Sequence, residues 1–324
     1  MGEAERLITQ EKVAALTGCY HSNVTATASQ AAERLGVPFV NPDSVFPPLI
    51  KRGYKWFFRL TPGDDTVAQD FMSFLKEFQE KESVELKTVA ILWENSLWGT
   101  EAADIQRQLV HANGYELVAD IGYSSKSTDV TSEVQKLKSA NPDVLIQNSY
   151  IADTMLFLKT FEQMDFVPKM LLANGGGFSD TVFIPTMKEK SNYWINSLRF
   201  SLDIADERPL VKQVNDLYKG KYGVDMNDTS ARAFMTLITL GDALDRAGKT
   251  EPEALRQALL ATDIKENQVI LPWKGVQFDP NTGANTLAGI CLAQIQDQKY
   301  HDIWPYDLAT AEVIFPIPAW SERK

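Results

Sequence analysis

Residues 88–99 read TVAILWENSLWG, and this stretch decides the fold. Its first part, 88–93, is apolar at almost every position, which is typical of a strand that a sheet buries on both faces. The chain then turns polar and enters an amphipathic segment at 99–113, which ends at Asn113-Gly114, a common helix stop. A buried strand followed directly by a helix is the building block of parallel α/β sheets.

The same strand-then-helix alternation extends along the chain in both directions. It predicts an α/β protein whose central sheets are parallel and carry helices on both faces. Strands are predicted at 13–17, 37–40, 88–93, 116–121, 143–147 and 169–173, and helices at 25–35, 66–79, 99–113, 130–139 and 153–164. Beyond residue 201 the order changes, with helices predicted at 207–222, 230–247 and 251–261 before β-rich segments at 288–296 and 300–304.

The composition is that of an ordinary folded protein with an acidic surface. Of the 324 residues, 44% are hydrophobic and 23% are charged, so the chain has enough apolar material for two cores. Asp and Glu outnumber Lys and Arg by 43 to 32, which gives a net charge of −11. Because such a surface repels phosphate groups, we expect neither nucleic acid nor an anionic membrane surface as a partner. No apolar run reaches the roughly 18–20 residues of a membrane-spanning helix.

The sequence lacks the patterns that mark an enzyme or a metal site. It has no Gly-x-Ser-x-Gly elbow, and His21, His111 and His301 are too scattered to suggest a zinc site. Cys19 and Cys291 have no metal-ligand spacing, and we expect two buried thiols rather than a disulfide. The sequence therefore predicts no catalytic residue, no metal and no cofactor.

Polar or aromatic side chains follow five of the predicted strands. In an open parallel sheet the carboxyl ends of the strands meet at one edge, where ligands bind. Each of these segments alone reads as an ordinary loop, but five together favour a ligand-binding edge. The residues are His21, Ser22 and Asn23 after strand 13–17, Asp43 and Ser44 after 37–40, Trp98 after 88–93, Tyr150 after 143–147, and Asn174 with Gly175 after 169–173.

An ordered series of segments carries a resemblance to a known family. The segments are Val13–Ser29, Ala32–Pro38 with Asn41-Pro42, Arg52–Tyr54, Phe58–Pro62, Trp98-Gly99, Asn141–Val144, and Phe278–Pro280 with Gly283. On these residues the chain resembles the type I periplasmic substrate-binding proteins of ABC transporters, in the branched-chain amino-acid (leucine/isoleucine/valine-binding) family. The resemblance extends over essentially the whole chain.

The resemblance implies two Rossmann-like lobes of the periplasmic binding protein type I fold. In the family a ligand binds between the lobes, and hinge closure excludes water. The first lobe would comprise 1–63 and 201–280, the second 64–200 and 281–305, and a C-terminal tail would follow at 306–324.

The family opens with a strand-helix-strand piece ahead of the segment that resembles Glu3–Gln10. That piece has no counterpart here, so the resemblance implies an N-terminally shortened and incomplete first lobe. We therefore expect strand 13–17 to lie at or near an open sheet edge.

The resemblance also assigns roles in the first lobe. In the family, a Ser-containing turn and the following helix start hold the ligand's carboxylate, and here that turn is His21-Ser22-Asn23. At the next strand end stand Asp43 and Ser44. A carboxylate at Asp43 would point away from the ligand's own carboxylate or accept from a ligand N–H. Phe234 either closes one wall of the site or belongs to the helix core.

In the second lobe, Trp98 stands where the family often has an aromatic residue, and Tyr150 matches a tyrosine that faces the ligand. Their stacking suits a ligand with a polar end and a flat or apolar body. An acid on the loop after strand 169–173 commonly holds the ammonium of an amino-acid ligand. Here that loop carries Asn174 and Gly175, so this ammonium contact is absent at its usual position.

The resemblance implies an extracytoplasmic receptor, periplasmic or lipid-anchored, for a small polar or amino-acid-like solute. Its partners would be that solute and the permease of an ABC transporter. The same fold serves in ligand-sensing regulatory modules, such as amide sensors and receptor ectodomains, and this is the main alternative. A Rossmann-like enzyme is a weaker alternative, because no catalytic constellation supports it.

Overall fold

Helices and strands alternate through most of the computed structural model, which describes residues 2–323. The α-helices are α1 (Gly2–Thr9), α2 (Ser22–Leu35), α3 (Asp64–Glu82), α4 (Leu97–Ala112), α5 (Thr131–Ala140), α6 (Ile151–Gln163), α7 (Phe183–Met187), α8 (Pro209–Tyr222), α9 (Asp228–Ala247) and α10 (Pro252–Leu260). The strands are β1 (Leu16–Thr17), β2 (Phe39–Asn41), β3 (Phe57–Arg59), β4 (Thr88–Glu94), β5 (Glu116–Tyr123), β6 (Val144–Asn148), β7 (Met170–Ala173), β8 (Ile195–Leu198), β9 (Ile264–Lys265), β10 (Gly275–Val276), β11 (Cys291–Gln296) and β12 (Lys299–Trp304).

The chain forms two units, and neither is a continuous piece of sequence. Unit 1 comprises Met1–Asp64 and Arg199–Ile290. Unit 2 comprises Asp65–Leu198 and Cys291–Lys324. The chain therefore passes from one unit to the other three times.

A seven-stranded sheet forms the centre of unit 2, in the order β12-β11-β8-β7-β6-β4-β5. The strands from β5 to β8 in this order run parallel, and β11 and β12 add an antiparallel edge. Leu92 packs in one cluster with Leu137 of α5 and Phe157 of α6. Its neighbour Ile91, which faces the other side of the sheet, is equally buried. The predicted parallel sheet with both faces covered is thus confirmed in unit 2.

The main sheet of unit 1 is smaller and consists of β1, β2 and β3, all parallel. A separate antiparallel ladder joins β9 and β10. The core packs Phe58 and Leu60 against helix residues such as Met235 and Leu259. Within residues 2–323, β1 lies at one edge of its sheet, as predicted, although only the last two residues of the predicted strand adopt strand geometry.

The structure contains elements that the sequence pattern does not predict, including α1, β3 and β8. In β8, Asn196 and Ser197 lie inside a fully buried strand, so the segment lacks both an apolar run and an alternating pattern. Helix ends also differ by up to three residues. The most relevant case is α2, which begins at Ser22 rather than Thr25 and so places Ser22 in the first helical turn.

Cys19 and Cys291 are free thiols. Cys291 is buried, as predicted. Cys19 is half-buried, and desolvation raises the pKa of its thiol. Neither thiol stabilises the fold through a disulfide, so packing and hydrogen bonding carry that role.

Gly99 lies in the first turn of α4, against the end of β4. A Cβ at this position would lie 2.0 Å from the Glu94 carbonyl oxygen and 2.9 Å from Glu94 Oε1. Because the backbone must move to make room, we expect Gly99→Ala to destabilise unit 2 by about 1–3 kcal/mol. Denaturant-induced unfolding followed by circular dichroism measures this loss.

The matched control is Gly241→Ala, because Gly241 lies within α9 and an added Cβ would meet nothing within 4 Å. There we expect a gain of up to about 1 kcal/mol, since alanine is the better helix former. Equal unfolding free energies for the two variants would contradict the close packing at Gly99.

Candidate functional site

Side chains that follow β2 hold the turn between β1 and α2 in place. Asn41 Nδ2 donates to the carbonyl oxygens of Gly18 (2.6 Å) and Cys19 (3.0 Å). Ser44 Oγ lies within hydrogen-bond distance of the carbonyl oxygens of Cys19 (3.0 Å) and Tyr20 (3.1 Å). The structure therefore brings together two of the segments that the sequence predicts at the ligand-binding edge.

The N-cap residue of α2 offers no side-chain acceptor to the first helical turn. His21 occupies the N-cap without a side-chain capping bond, and the first turn holds no acidic residue. The first N–H groups of a helix have no acceptor within the helix. Val24 N–H donates to Asn23 Oδ1 (2.9 Å), and Thr25 N–H donates to the His21 carbonyl (3.0 Å). Ser22, the first residue of the helix, is only 3% exposed.

The start of α4 shows the opposite arrangement, because a carboxylate from the preceding strand accepts hydrogen bonds from its backbone N–H groups. Glu94 is fully buried. Its Oε2 accepts from Ser96 N–H (2.7 Å), and its Oε1 accepts from Gly99 N–H (3.1 Å). A carboxylate at this position is favoured by the helix dipole. By comparison, α2 lacks the carboxylate that α4 receives from its own strand.

A buried ion cluster joins Asp43 to the first turn of α9. Arg232 Nη2 lies 2.8 Å from Asp228 Oδ2 and 3.2 Å from Asp43 Oδ1. Asp228 Oδ1 also accepts from the backbone N–H of Arg199 (2.6 Å). The three ionised side chains are at most 7% exposed. Burial raises the pKa of Asp43, and the neighbouring Arg232 opposes that shift.

Trp98 and Tyr150 pack directly against each other in unit 2. Their ring centroids are 4.9 Å apart, and the ring planes are inclined by 49°. Trp98 is buried, and its Nε1 has no acceptor among residues 2–323. Because the rings are already in contact, they offer one aromatic surface rather than two walls around an intervening ring. The half-buried Tyr150 supplies the accessible part of that surface.

Asn174 belongs to a buried chain of side-chain amides. Its Nδ2 donates to Asn148 Oδ1 (3.1 Å). Asn148 and Gln106 of α4 exchange two further hydrogen bonds of 2.8 and 2.9 Å. Gln106 is not among the predicted site residues. The sequence signal that could have identified it is a polar residue on the apolar face of a helix.

The glycines after β7 allow a close approach of the chain to Trp98. Gly175 and Gly176 both have positive φ, at 58° and 56°. A Cβ on Gly176 would lie 2.2 Å from the Ser149 carbonyl oxygen and 3.2 Å from Trp98 Cη2. A glycine is therefore required there by the packing of the turn itself.

Phe234 lies in α9 and is half-buried. It packs against the hydrophobic core of unit 1, in a cluster that contains Met235 and Phe278. This contact agrees with the helix-core alternative for Phe234.

A groove of about 650 Å³ lies at the other end of the unit 2 sheet. Leu86 and Lys87, just before β4, and Glu116, at the start of β5, line it together with residues of α3. These are amino ends of strands, whereas ligands in open parallel sheets bind at carboxyl ends. The groove is therefore separate from the candidate site.

Metal binding finds no support in the part of the chain that the structure describes, because His, Cys, Asp and Glu nowhere form a group of three suited to a metal ion. Over the same residues, none of the helices has the length and apolar character of a membrane span.

Asp153 lies in the first turn of α6, three residues after Tyr150, and its side chain is buried. Desolvation raises its pKa to about 6. A hydrogen bond from the Tyr150 backbone opposes the shift, and the charge of Glu94 adds to it. The aromatic surface is thus supported by a carboxyl group that titrates between pH 5 and 7.

The comparison with protein families gives a match over most of the chain. A family model described as periplasmic binding protein matches residues 2–299. The Leu/Ile/Val-binding protein homolog 7 of Brucella abortus (strain 2308) is 29% identical over 330 residues, which cover 98% of this chain and 80% of that protein. Homolog 8 of the same strain is 29% identical over 331 residues, which cover 97% and 79%.

Solved structures of binding proteins share the fold. The leucine binding protein LivK from Thermotoga maritima aligns with a TM-score of 0.82 at 20% identity, over 94% of this chain and 84% of that one. LivJ from Streptococcus pneumoniae, in complex with isoleucine, has a TM-score of 0.79 at 21% identity, with 97% and 83% covered. A solute binding protein from Rhodopseudomonas palustris BisB5, in complex with 3,4-dihydroxy benzoic acid, has a TM-score of 0.78 at 17% identity, with 98% and 83% covered.

The raised pKa of Asp153 generates a prediction about stability and pH. Its pKa in the folded protein, about 6, exceeds its ordinary value of 3.8, so the folded state favours the protonated form. The resulting stabilisation is fully present below about pH 4 and is lost as the pH rises through 6. We expect Asp153→Asn, which keeps an oxygen acceptor without the charge, to gain about 1–3 kcal/mol at pH 8 and much less at pH 4.

Urea unfolding at the two pH values measures this difference. Asp307→Asn, at an exposed acid of the same unit, is the control and should change stability little at either pH. A gain from Asp153→Asn of the same size at both pH values would contradict the assigned pKa.

Proposed function

Because this chain belongs to the periplasmic binding protein family, it is a solute-binding receptor rather than an enzyme, and we propose that its solute is a small molecule with a carboxylate group. The family acts outside the cytoplasm. We further propose a periplasmic or lipid-anchored position for this member, and delivery of the solute to the permease of an ABC transporter.

The observation that supports the proposal is that the start of α2 has neither a side-chain cap nor an acidic residue. Its N-cap His21 makes no side-chain capping bond, its first turn holds no acidic residue, and Ser22 is buried at the start of the helix. Helix N-termini bind anions because the free N–H groups and the helix dipole both favour negative charge. Each hydrogen bond to a charged group contributes roughly 1.5–3 kcal/mol, so two or three supply much of a micromolar affinity.

The aromatic surface of unit 2 supports the same proposal. Trp98 is buried beneath Tyr150, and its Nε1 donor has no acceptor among residues 2–323. We propose that this surface contacts the body of the solute, with Tyr150 packing against an apolar or aromatic group.

The solutes in two of the similar structures agree with a carboxylate as the shared group. Isoleucine and 3,4-dihydroxy benzoic acid differ in size, shape and polarity, yet both are carboxylic acids. A helix start that binds the carboxylate would leave the rest of the site free to differ between receptors. The other side chains of the site would then contact the remaining groups of the solute.

Thermal unfolding against paired compounds tests the carboxylate. The panel contains amino acids and aromatic acids, each with its primary amide. We expect at least one acid to stabilise the protein by about 2.7 kcal/mol at a hundredfold excess over its dissociation constant. The corresponding amide should have little effect, because it lacks the negative charge that the helix start favours. A panel in which no acid shifts the transition, or in which the amides match the acids, would overturn the proposal.

The Ser22 hydroxyl gives a variant for the same test. We expect Ser22→Ala to weaken the affinity for the identified acid about tenfold, as for the loss of one charge-assisted hydrogen bond. Ser132→Ala is the matched control, because Ser132 lies in the first turn of α5 and is exposed. Unchanged affinity in a folded Ser22→Ala protein would place the carboxylate elsewhere.

Tyr150 tests the aromatic surface. We expect Tyr150→Ala to weaken binding roughly threefold to tenfold, which corresponds to the loss of one aromatic contact. Tyr222→Ala is the control, because Tyr222 stacks on Tyr218 at the surface of unit 1, with centroids 4.7 Å apart. Titration calorimetry with the identified acid gives both affinities. If the two variants bind equally well, Tyr150 does not contact the solute.

A further inference from the structure

A buried carboxyl group lies directly beside the aromatic surface of unit 2. Asp153 is 5% exposed, and its Oδ2 has no hydrogen-bond partner among residues 2–323. It occupies the first turn of α6, and Tyr150 is the N-cap residue of the same helix. A hydrogen bond from the backbone of Tyr150 holds the carboxyl group in this position. Asp153 is therefore fixed against the residue that is proposed to contact the solute.

The aromatic surface lies beside a second buried carboxyl group, whose surroundings differ. Glu94 directly precedes the start of α4, the helix that carries Trp98. The backbone N–H groups of Ser96 and Gly99 donate to its two oxygens, at 2.7 and 3.1 Å. The start of α4 thus compensates the negative charge of Glu94. Asp153 lacks a donor at Oδ2, so its ionisation leaves a buried negative charge incompletely compensated.

The titratable groups that face Asp153 supply no positive charge. They are Glu94 and the phenol of Tyr123, at the end of β5. The helices α5 and α7 also pack against α6, but Lys138 of α5 and Lys190, which follows α7, bind at the carboxyl end of α6. Desolvation raises the pKa of Asp153 to about 6, and the charge of Glu94 adds to this shift. A modest further loss of solvent would therefore favour the protonated form near pH 7.

A solute that covers Tyr150 would cause such a loss. Tyr150 is half-buried, so water still reaches this part of the surface in the free receptor. Packing a solute onto it removes that water, and a carboxylate on the solute brings a further negative charge into the site. Both changes disfavour the ionised form of Asp153. Binding of the solute and binding of a proton at Asp153 therefore favour each other.

We propose that Asp153 takes up a proton when the receptor binds its solute, so that the receptor binds the solute more tightly at acidic than at alkaline pH. The inference rests on the proposed function and adds a regulation of the same site. Below about pH 6 most of the free receptor already carries the proton, whereas above it the proton has to be taken up on binding. Asp153 is a positioning residue, because it acts on the solute through Tyr150.

Titration calorimetry in two buffers with different ionisation enthalpies measures the proton uptake of the unmodified receptor. The probes are L-leucine, L-isoleucine, L-phenylalanine, benzoate and 3,4-dihydroxybenzoate. We expect a bound probe to be accompanied by uptake of a fraction of a proton at pH 7. Its affinity should be at least about threefold higher at pH 5.5 than at pH 8. Binding without proton uptake would overturn the inference and leave the carboxylate proposal intact, whereas absence of binding by all five probes would overturn both.

The variant Asp153→Asn assigns the proton to its residue, because an amide stays neutral at every pH of the experiment. We expect it to bind the same probe about threefold or more tightly than the unmodified receptor at pH 8, with less proton uptake and a flatter pH profile. A merely structural role of Asp153 predicts weaker binding at all pH values instead. Asp307→Asn, at an exposed acid of unit 2, is the charge-matched control and should leave affinity and proton uptake unchanged.

A folded Asp153→Asn protein that keeps the full proton uptake would overturn the role of Asp153. Its melting curve establishes whether it is folded. The carboxyl carbon resonance of Asp153 in the isotope-labelled, unmodified protein keeps the inference testable if the variant does not fold. Its titration midpoint should move to higher pH when the probe is bound, and an unchanged midpoint would contradict the coupling.

Discussion

A polar side chain that is buried at the end of a strand needs a hydrogen-bond partner, because an unpaired one opposes folding. In unit 2 the chain meets much of this constraint internally, because the start of α4 surrounds Glu94 and Gln106 pairs with Asn148, whereas Trp98 Nε1 has no acceptor among the described residues. In unit 1, Asp43 Oδ1 is buried without a hydrogen bond among the described residues, although it forms an ion pair with Arg232. The proposed carboxylate solute would supply an acceptor at the start of α2, and this would connect the architecture to receptor function.

The ion cluster of unit 1 is better explained by positioning than by stability. Removing two carboxylates and a guanidinium from water costs several kcal/mol per ion, and their mutual attraction offsets this only with good geometry. Arg232 is held by Asp228 through a side-chain contact of 2.8 Å and a bond from Nε to the Asp228 carbonyl of 3.1 Å. The surface pair of Lys212 and Asp216 is more than half exposed and contributes little. The buried cluster thus keeps one carboxylate in a defined place.

The sequence predicts the parallel sheet of unit 2, and the polar residues that follow its strands, because both follow from local patterns. The apolar run at 88–93 identifies a strand from its own residues, and so do the polar residues that follow it. The strand β8 escapes prediction because Asn196 and Ser197 are buried by neighbours distant in sequence. The sequence pattern also does not predict that Asp43 pairs with Arg232, since the two residues are 189 positions apart. Local chemistry thus predicts which polar residues follow the strands, and long-range packing decides how those residues pair.

The separation between Asp43 and Arg232 also has a consequence for biosynthesis. At about 5–20 residues per second, a ribosome adds Arg232 roughly 10–40 s after Asp43. During that interval the whole 65–198 segment of unit 2 is synthesised, before the ion pair between Asp43 and Arg232 can form. The segment around Asp43 is therefore among the first parts of the chain to be made and among the last to reach its final electrostatic environment. The buried ion cluster of unit 1 can therefore assemble only after α9 has been synthesised.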